Sequence, residues 1–168
     1  MEVDGKKQIW HIESIAKGFG GFSGWLVPVM VVLVFYEVIM RYVVGRPPVI
    51  AEEFSSYLLV AVAFLGMAYT WREGGHVRVT AFVEKLPIRV ANRLRLVRLI
   101  IALVFVLGLT YLSYVYLASS FQMGMRAGSW IRTPLQGPQM TILIGFALLS
   151  LLLIVEIKEA ITKIRSGK

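Results

Sequence analysis

The chain has 168 residues, 57% of them hydrophobic, and a mean hydropathy of +0.71. Soluble domains are about 45–50% apolar, so the excess points to lipid, and the length suits one membrane domain. The absence of cysteine excludes disulfides, thiolate metal sites and a Cys nucleophile, and the net charge of +8 fits basic loops flanking membrane segments rather than nucleic-acid binding.

Residues 1–18 carry mixed charge, Glu2, Asp4 and Glu13 against Lys6, Lys7 and Lys17. Trp10, Ile12, Ile15 and Phe19 recur at roughly helical spacing, which suits either a short helix on the headgroups or a frayed tail. The first predicted span covers about 19–42. It contains Pro28, tolerated inside membrane helices at the cost of a kink, and a GxxxG at Gly20 and Gly24 that permits close helix packing. The apolar run is too long for a signal-peptide core and no small-residue cleavage motif follows it. Glu37 and Arg41 close the span four residues apart, with the acid first, the favoured order for a helical pair. Glu37 is read as half of a structural pair, with a proton-carrying carboxylate as the alternative, because it lies near the span's end.

Gly45-Arg46-Pro47-Pro48 forms a stiff turn into the second span, about 53–71. Residues 54–71 are uncharged and reach roughly the thickness of a bilayer core. Glu52 and Glu53 stand at the head of this helix and Arg72 at its foot, matching the helix dipole. The two glutamates read as N-terminal charge or as a pair for a partner's cation; adjacent on a helix, they point about 100° apart and make a poor catalytic pair. Ala61, Ala63, Gly66 and Ala68 are small and Tyr57, Phe64, Tyr69 and Trp71 large, so this helix is expected inside a bundle.

Residues 71–98 hold Arg72, Arg78, Lys85, Arg89, Arg93, Arg95 and Arg98 against only Glu73 and Glu84. Val79, Phe82, Val83 and Leu86 make a helical apolar stripe that Pro87 ends, and Ile88, Ala91 and Leu94 follow a similar spacing. The segment from about 77 to 95 therefore predicts amphipathic helices lying in the interface, with Arg89, Arg93 and Arg95 on lipid headgroups. The third span covers about 97–117, with Tyr111, Tyr114 and Tyr116 gathered at one end as in an aromatic belt. A loop with Arg126, Trp130, Arg132 and Pro134 leads to the fourth span, about 138–156, where Pro138 suits the first turn. Ile157, Ala160, Ile161 and Ile164 carry helical spacing beyond it.

The fold class is thus an all-α integral membrane domain of four transmembrane helices, with interfacial helices in the middle loop. Of the Lys and Arg residues, fourteen lie on the side of the termini and the middle loop, and four, Arg41, Arg46, Arg126 and Arg132, on the other. The positive-inside rule places both termini in the cytoplasm. His11 and His76 lie outside the spans, and no HExxH, P-loop, GxSxG or acidic metal cluster occurs. No catalytic residue, metal or cofactor is expected, and the spans lack the charged midplane of a complete transporter. The sequence describes a component.

Arg41-Tyr42-Val43-Val44-Gly45-Arg46-Pro47, then Glu52-Glu53, Tyr57-Leu58, Phe64-Leu65-Gly66, Arg72-x-Gly74-Gly75-His76-Val77-x-Val79, and finally Thr133-Pro134-Leu135 with Pro138, form an ordered set. In that set the chain resembles the small membrane subunit of tripartite ATP-independent periplasmic (TRAP) transporters, the DctQ-like family, from about residue 32 to 153. It departs from the family pattern at Ile50, Thr80 and Gly137. The resemblance implies a subunit without enzymatic activity that braces a large membrane subunit, while a periplasmic binding protein delivers an organic acid and sodium drives uptake. It implies an inner-membrane location and partners limited to those two proteins and lipid. Under it, Arg41, Glu52, Glu53, Gly66, Arg72 and His76 become candidates for subunit contact, and Arg46, Arg126 and Arg132 for docking the binding protein. The competing expectation is a stand-alone proton-coupled exporter that uses Glu37.

Overall fold

A computed structural model describes residues 2–46, 48–73, 88–129 and 131–165. Four helices carry the fold: α1 (Glu2–Ile39), α2 (Val49–Arg72), α3 (Ile88–Met123) and α4 (Gln136–Arg165). Four stretches are long and apolar enough to cross a membrane: Ser14–Val44, which runs five residues past the end of α1, then Ile50–Arg72, Val90–Met123 and Gln136–Thr162 within α2, α3 and α4. The chain is an all-α membrane protein.

Two elements differ from expectation. The N-terminal residues are helical and continuous with the first span, not a separate surface helix, and the helix runs through Pro28. Proline lacks the amide that would bond the carbonyl four residues back, so the bond lost here is the one to Gly24. Residues 88–95, expected in the interface, are the first turns of α3. The stripe at Val79, Phe82, Val83 and Leu86, and His76, lie outside the described residues.

After Ile39 the helix widens into a π turn, Met40–Val44, closed by Gly45 in the left-handed region at φ 71°. The Gly45 and Arg46 amides both return to the Met40 carbonyl, the latter at 3.1 Å. Only glycine takes that φ without a Cβ penalty, so the Gly45 of the sequence pattern is a helix stop. Pro48 then enters α2 in extended conformation.

The helices pack in the spatial order α1, α2, α4, α3. The outer pair expose most of their spans: Trp25, Val32 and Phe35 of α1, and Ile101, Val104 and Phe105 of α3, are each about two-thirds exposed or more. Two apolar clusters join the row. Ala16, Ala68 and Leu152 meet where α1, α2 and α4 converge. Leu99, Val106, Leu149, Leu153 and Ala160 lock α3 to α4, with Met67 and Trp71 of α2 against them.

Small residues set how closely the row closes. A Cβ on Gly20 would collide with the Tyr69 ring, and one on Gly66 would stand 3.2 Å from the Ser23 hydroxyl, so α1 and α2 meet through reciprocal small positions. Gly24, the other half of the GxxxG, faces open space. An equally close contact, and one against backbone rather than side chain, is one the sequence pattern did not single out: a Cβ on Gly145 would run into the backbone carbonyl of Phe64. Beside it the Phe64 and Phe146 rings meet edge to face, centroids 5.2 Å apart, a favoured aromatic geometry.

Hydroxyls within the spans turn back onto their own helices. Thr70 donates to the Gly66 carbonyl at 3.0 Å, Thr110 to Val106 at 2.8 Å and Ser150 to Phe146 at 2.9 Å. In hydrocarbon an unsatisfied polar group is costly, and this local bonding removes the cost. Gly145→Val is expected to lower the unfolding free energy by about 1–3 kcal/mol through backbone displacement, read as a reduced thermal midpoint in detergent. Gly24→Ala, with open space around it, is expected to leave the midpoint unchanged or raise it slightly.

Candidate partner-docking surfaces

The sequence candidates sort by the end of the bundle at which they sit. At the end bearing the 124–135 loop, Glu53 occupies the first turns of α2. Tyr57, one turn on, donates its hydroxyl to Glu53 Oε1 at 2.6 Å, and Ser129 of the loop donates to Oε2 at 2.6 Å. Both carboxylate oxygens are therefore engaged by hydroxyls of the same chain. Charge-assisted bonds of this kind are shorter and stronger than neutral ones. Glu53 pins the loop to α2, whereas Glu52 is exposed, and its carbonyl accepts from the Ser56 hydroxyl at 3.0 Å.

The loop has internal order that makes the tether effective. Gly124, at φ 59°, stops α3, and the Met125 amide caps it on the Ser120 carbonyl at 3.1 Å. The chain then doubles back. The Ala127 amide bonds the Thr133 carbonyl at 2.9 Å, the Leu135 amide bonds that of Met125 at 3.3 Å, and Arg126 pairs with Pro134 in an antiparallel bridge. Arg132 turns the corner at φ 52°, a conformation most side chains avoid, and its amide bonds the Ser129 carbonyl at 3.1 Å. Arg126 and Arg132 are exposed on this small platform. Arg46, exposed after the π turn, stands at the same end of the bundle. Arg41 pairs with Glu37 one turn back, a contact within α1 and its π turn.

At the opposite end, Glu156 of α4 is the counterpart of Glu53. Its Oε2 accepts from the Trp71 indole N–H at 2.8 Å, and its Oε1 accepts from Arg95 Nη2 at 2.8 Å. One carboxylate thus joins α2, α3 and α4. Arg72 lines the same cleft with Glu159, Leu152 and Val155. Arg95, expected on lipid, is turned inward to this acid, while Arg93 is exposed. Arg89 lies in the first turn of α3 with its side chain outside the described residues. Gly66 sits at the α1–α2 contact, within the chain's own packing.

Sequence reasoning missed Glu156, Ser129 and Gly145. Glu156 had a legible signal: an acid at the foot of one apolar span and an arginine at the head of the span running the other way. Ser129 had none, since only the folded loop brings it to Glu53. Glu156→Ala strands two donors at once and is expected to cost about 1–3 kcal/mol of stability, with Glu156→Gln losing less because an acceptor remains. Arg93→Ala is the neutral control, and thermal unfolding in detergent reads all three.

Among the described residues, the exposed surfaces include the apolar sides of α1 and α3 and the arginines of the loop end. A chain built this way is stitched to itself at both ends and offers its sides to others. Comparison with known proteins places it. A relative from Haemophilus influenzae, provisionally named a TRAP transporter small permease protein, is 42% identical over 62 residues, which are 37% of this chain and 38% of that protein. The matched region thus spans well under half of that relative's length. The family model for the DctQ component of tripartite ATP-independent periplasmic transporters matches residues 30–163, from the last quarter of α1 almost to the end of α4. The chain belongs to that family, as a small permease subunit of a TRAP transporter.

Proposed function

We propose that the subunit is a fixed scaffold: it braces the large membrane subunit in the bilayer while that subunit moves an organic acid, delivered by a periplasmic binding protein, with sodium. The observation that carries this reading is the pair of carboxylate clamps, Glu53 to Ser129 and Glu156 to Trp71 and Arg95, at the two ends of a row with broad exposed faces. The clamps resist shear between helices, and the exposed faces are the surface a larger neighbour would cover. Contiguous apolar faces on a membrane component suit helix–helix association through shape and van der Waals packing.

Charge supports an orientation in the cytoplasmic membrane with both termini and the segment joining α2 to α3 in the cytoplasm. On that reading the loop platform faces the periplasm, where Arg46, Arg126 and Arg132 would meet acidic patches of the binding protein. Arg41, Glu52, Arg72 and His76 remain candidates for contact with the large subunit, and Arg89 and Arg93 for lipid headgroups.

Two measurements test the proposal. The chain should co-purify with the large subunit and catalyse no sodium-driven uptake when reconstituted alone; uptake by the small chain in isolation would refute it. Arg126→Glu combined with Arg132→Glu should reduce uptake several-fold at limiting binding protein and little at saturation. Unchanged uptake at low binding protein would remove the docking role.

A further inference from the structure

The tip of the 124–135 loop is a tight turn fastened to a helix that the loop does not join. The Arg132 amide bonds the Ser129 carbonyl at 3.1 Å, and Arg132 itself takes the left-handed φ of 52°. The hydroxyl of the same Ser129 donates to Glu53 Oε2 at 2.6 Å. A short chain of bonds therefore runs from α2 through the Glu53 carboxylate and Ser129 to the backbone of Arg132. Other hydrogen bonds of the loop join α3, the loop and α4 to one another, as the Gln136 amide does in donating to the Ser120 carbonyl at 3.4 Å. The Ser129 bond crosses to α2. On the helix side the carboxylate is steadied by Tyr57, which donates to its other oxygen at 2.6 Å.

The exposed arginines at this end belong to two separate connections. Arg46 lies in the α1–α2 turn, seven residues before Glu53, and Arg126 and Arg132 lie in the α3–α4 loop. A surface of opposite charge is recognised through the arrangement of its partners, which fixes register as well as attraction. A loop that must first be ordered weakens binding by the cost of ordering it, and a loop held beforehand avoids that cost. The Glu53–Ser129 bond ties the arginine-bearing tip of one connection to the helix that the other connection enters.

We propose that Glu53 and Ser129 are positioning residues for docking: their bond holds the Arg132 tip in a fixed relation to the Arg46 turn, so that one acidic surface of the binding protein meets both connections. This inference rests on the docking role proposed above for Arg46, Arg126 and Arg132. The bond acts through geometry and not through charge. Ser129→Ala severs it while every arginine and glutamate of the surface remains.

The test measures the dissociation constant of the transporter's own binding protein for the purified complex of small and large subunits, at low and at high salt. Ser129→Ala is expected to raise it about three- to ten-fold, the cost of ordering one or two side chains on binding. Its salt dependence should stay parallel to that of the wild type. Ser129→Thr keeps the hydroxyl and should restore most of the affinity. Tyr57→Phe removes the bond to the other carboxylate oxygen without touching the loop; it is expected to bind as the wild type does, even where its thermal midpoint falls as far as that of Ser129→Ala. Arg126→Glu combined with Arg132→Glu should weaken binding and flatten its salt dependence. Wild-type affinity in Ser129→Ala, beside weakened binding in the double arginine variant, would overturn the positioning role and leave docking standing. Equal losses in Ser129→Ala and Tyr57→Phe, or no recovery in Ser129→Thr, would assign the effect to general loosening and overturn it too. Wild-type affinity in the double arginine variant would overturn the docking role and this inference with it.

Discussion

The backbone of α2 lies against α4 at Gly145, with no room for a side chain between them. Lipid tails are as apolar as leucine, so burial alone does little to hold membrane helices together; close packing has to do it. The Gly145 contact supplies that proximity at the centre of the row, and the rest follows from it. With α2 seated, the Phe64 and Phe146 rings meet, α1 closes onto the other side of α2 through Gly20 and Gly66, and the α3–α4 core reaches Met67 and Trp71. The row is ordered from its middle outward, which is why its inner helices are the more buried and its outer ones the more exposed.

The two carboxylate clamps are placed where an acid is least expensive. Glu53 sits in the first turns of α2 and Glu156 in the last third of α4, toward the ends of their spans rather than at mid-depth. A charge at the centre of a membrane helix costs about 2.5–3.5 kcal/mol on insertion scales, and less toward the interface. Each acid then uses both oxygens on its own chain. Midway along the row the polar groups are hydroxyls that bond their own helices, and the Thr110 and Ser150 hydroxyls that approach one another do so at 3.3 Å. The specific ties are at the two ends and the packing is between them.

The spans were legible because they rest on composition and length, which the bilayer dictates. Pro47-Pro48 and Gly45 located the first turn, and the left-handed glycine confirms why that residue type stands there. The boundaries were less legible. α1 and α3 run well past the apolar runs, because helical backbone bonding does not stop where hydropathy does. The same gap explains the arginine whose acidic partner the sequence did not reveal. Arg95 reads as a headgroup contact when its neighbours are Arg89 and Arg93, and only the antiparallel approach of α4 shows that Glu156 lies opposite. A GxxxG names two glycines, yet the packing uses Gly20 and leaves Gly24 in open space. Gly145 stands alone in sequence and carries the close backbone contact, because what matters is which face meets a partner backbone, and a lone glycine does not announce that.

Rigidity and exposure together narrow what the subunit's surface can do. To slide α2 past α4 would drive the Phe64 carbonyl into whatever flanks Gly145, and would pull Glu156 from Trp71 or Arg95 at one end and Ser129 from Glu53 at the other. These are discrete losses with no intermediate arrangement to share them, and packed interfaces respond to such demands by holding one state rather than deforming continuously. Under the proposed scaffold role, motion in a transporter assembly falls to a neighbour rather than to this row. The outer faces of α1 and α3 carry no comparable constraint. A partner helix or a lipid laid against them adds contacts without breaking any that exist, so association changes the subunit's surroundings and leaves its own geometry fixed.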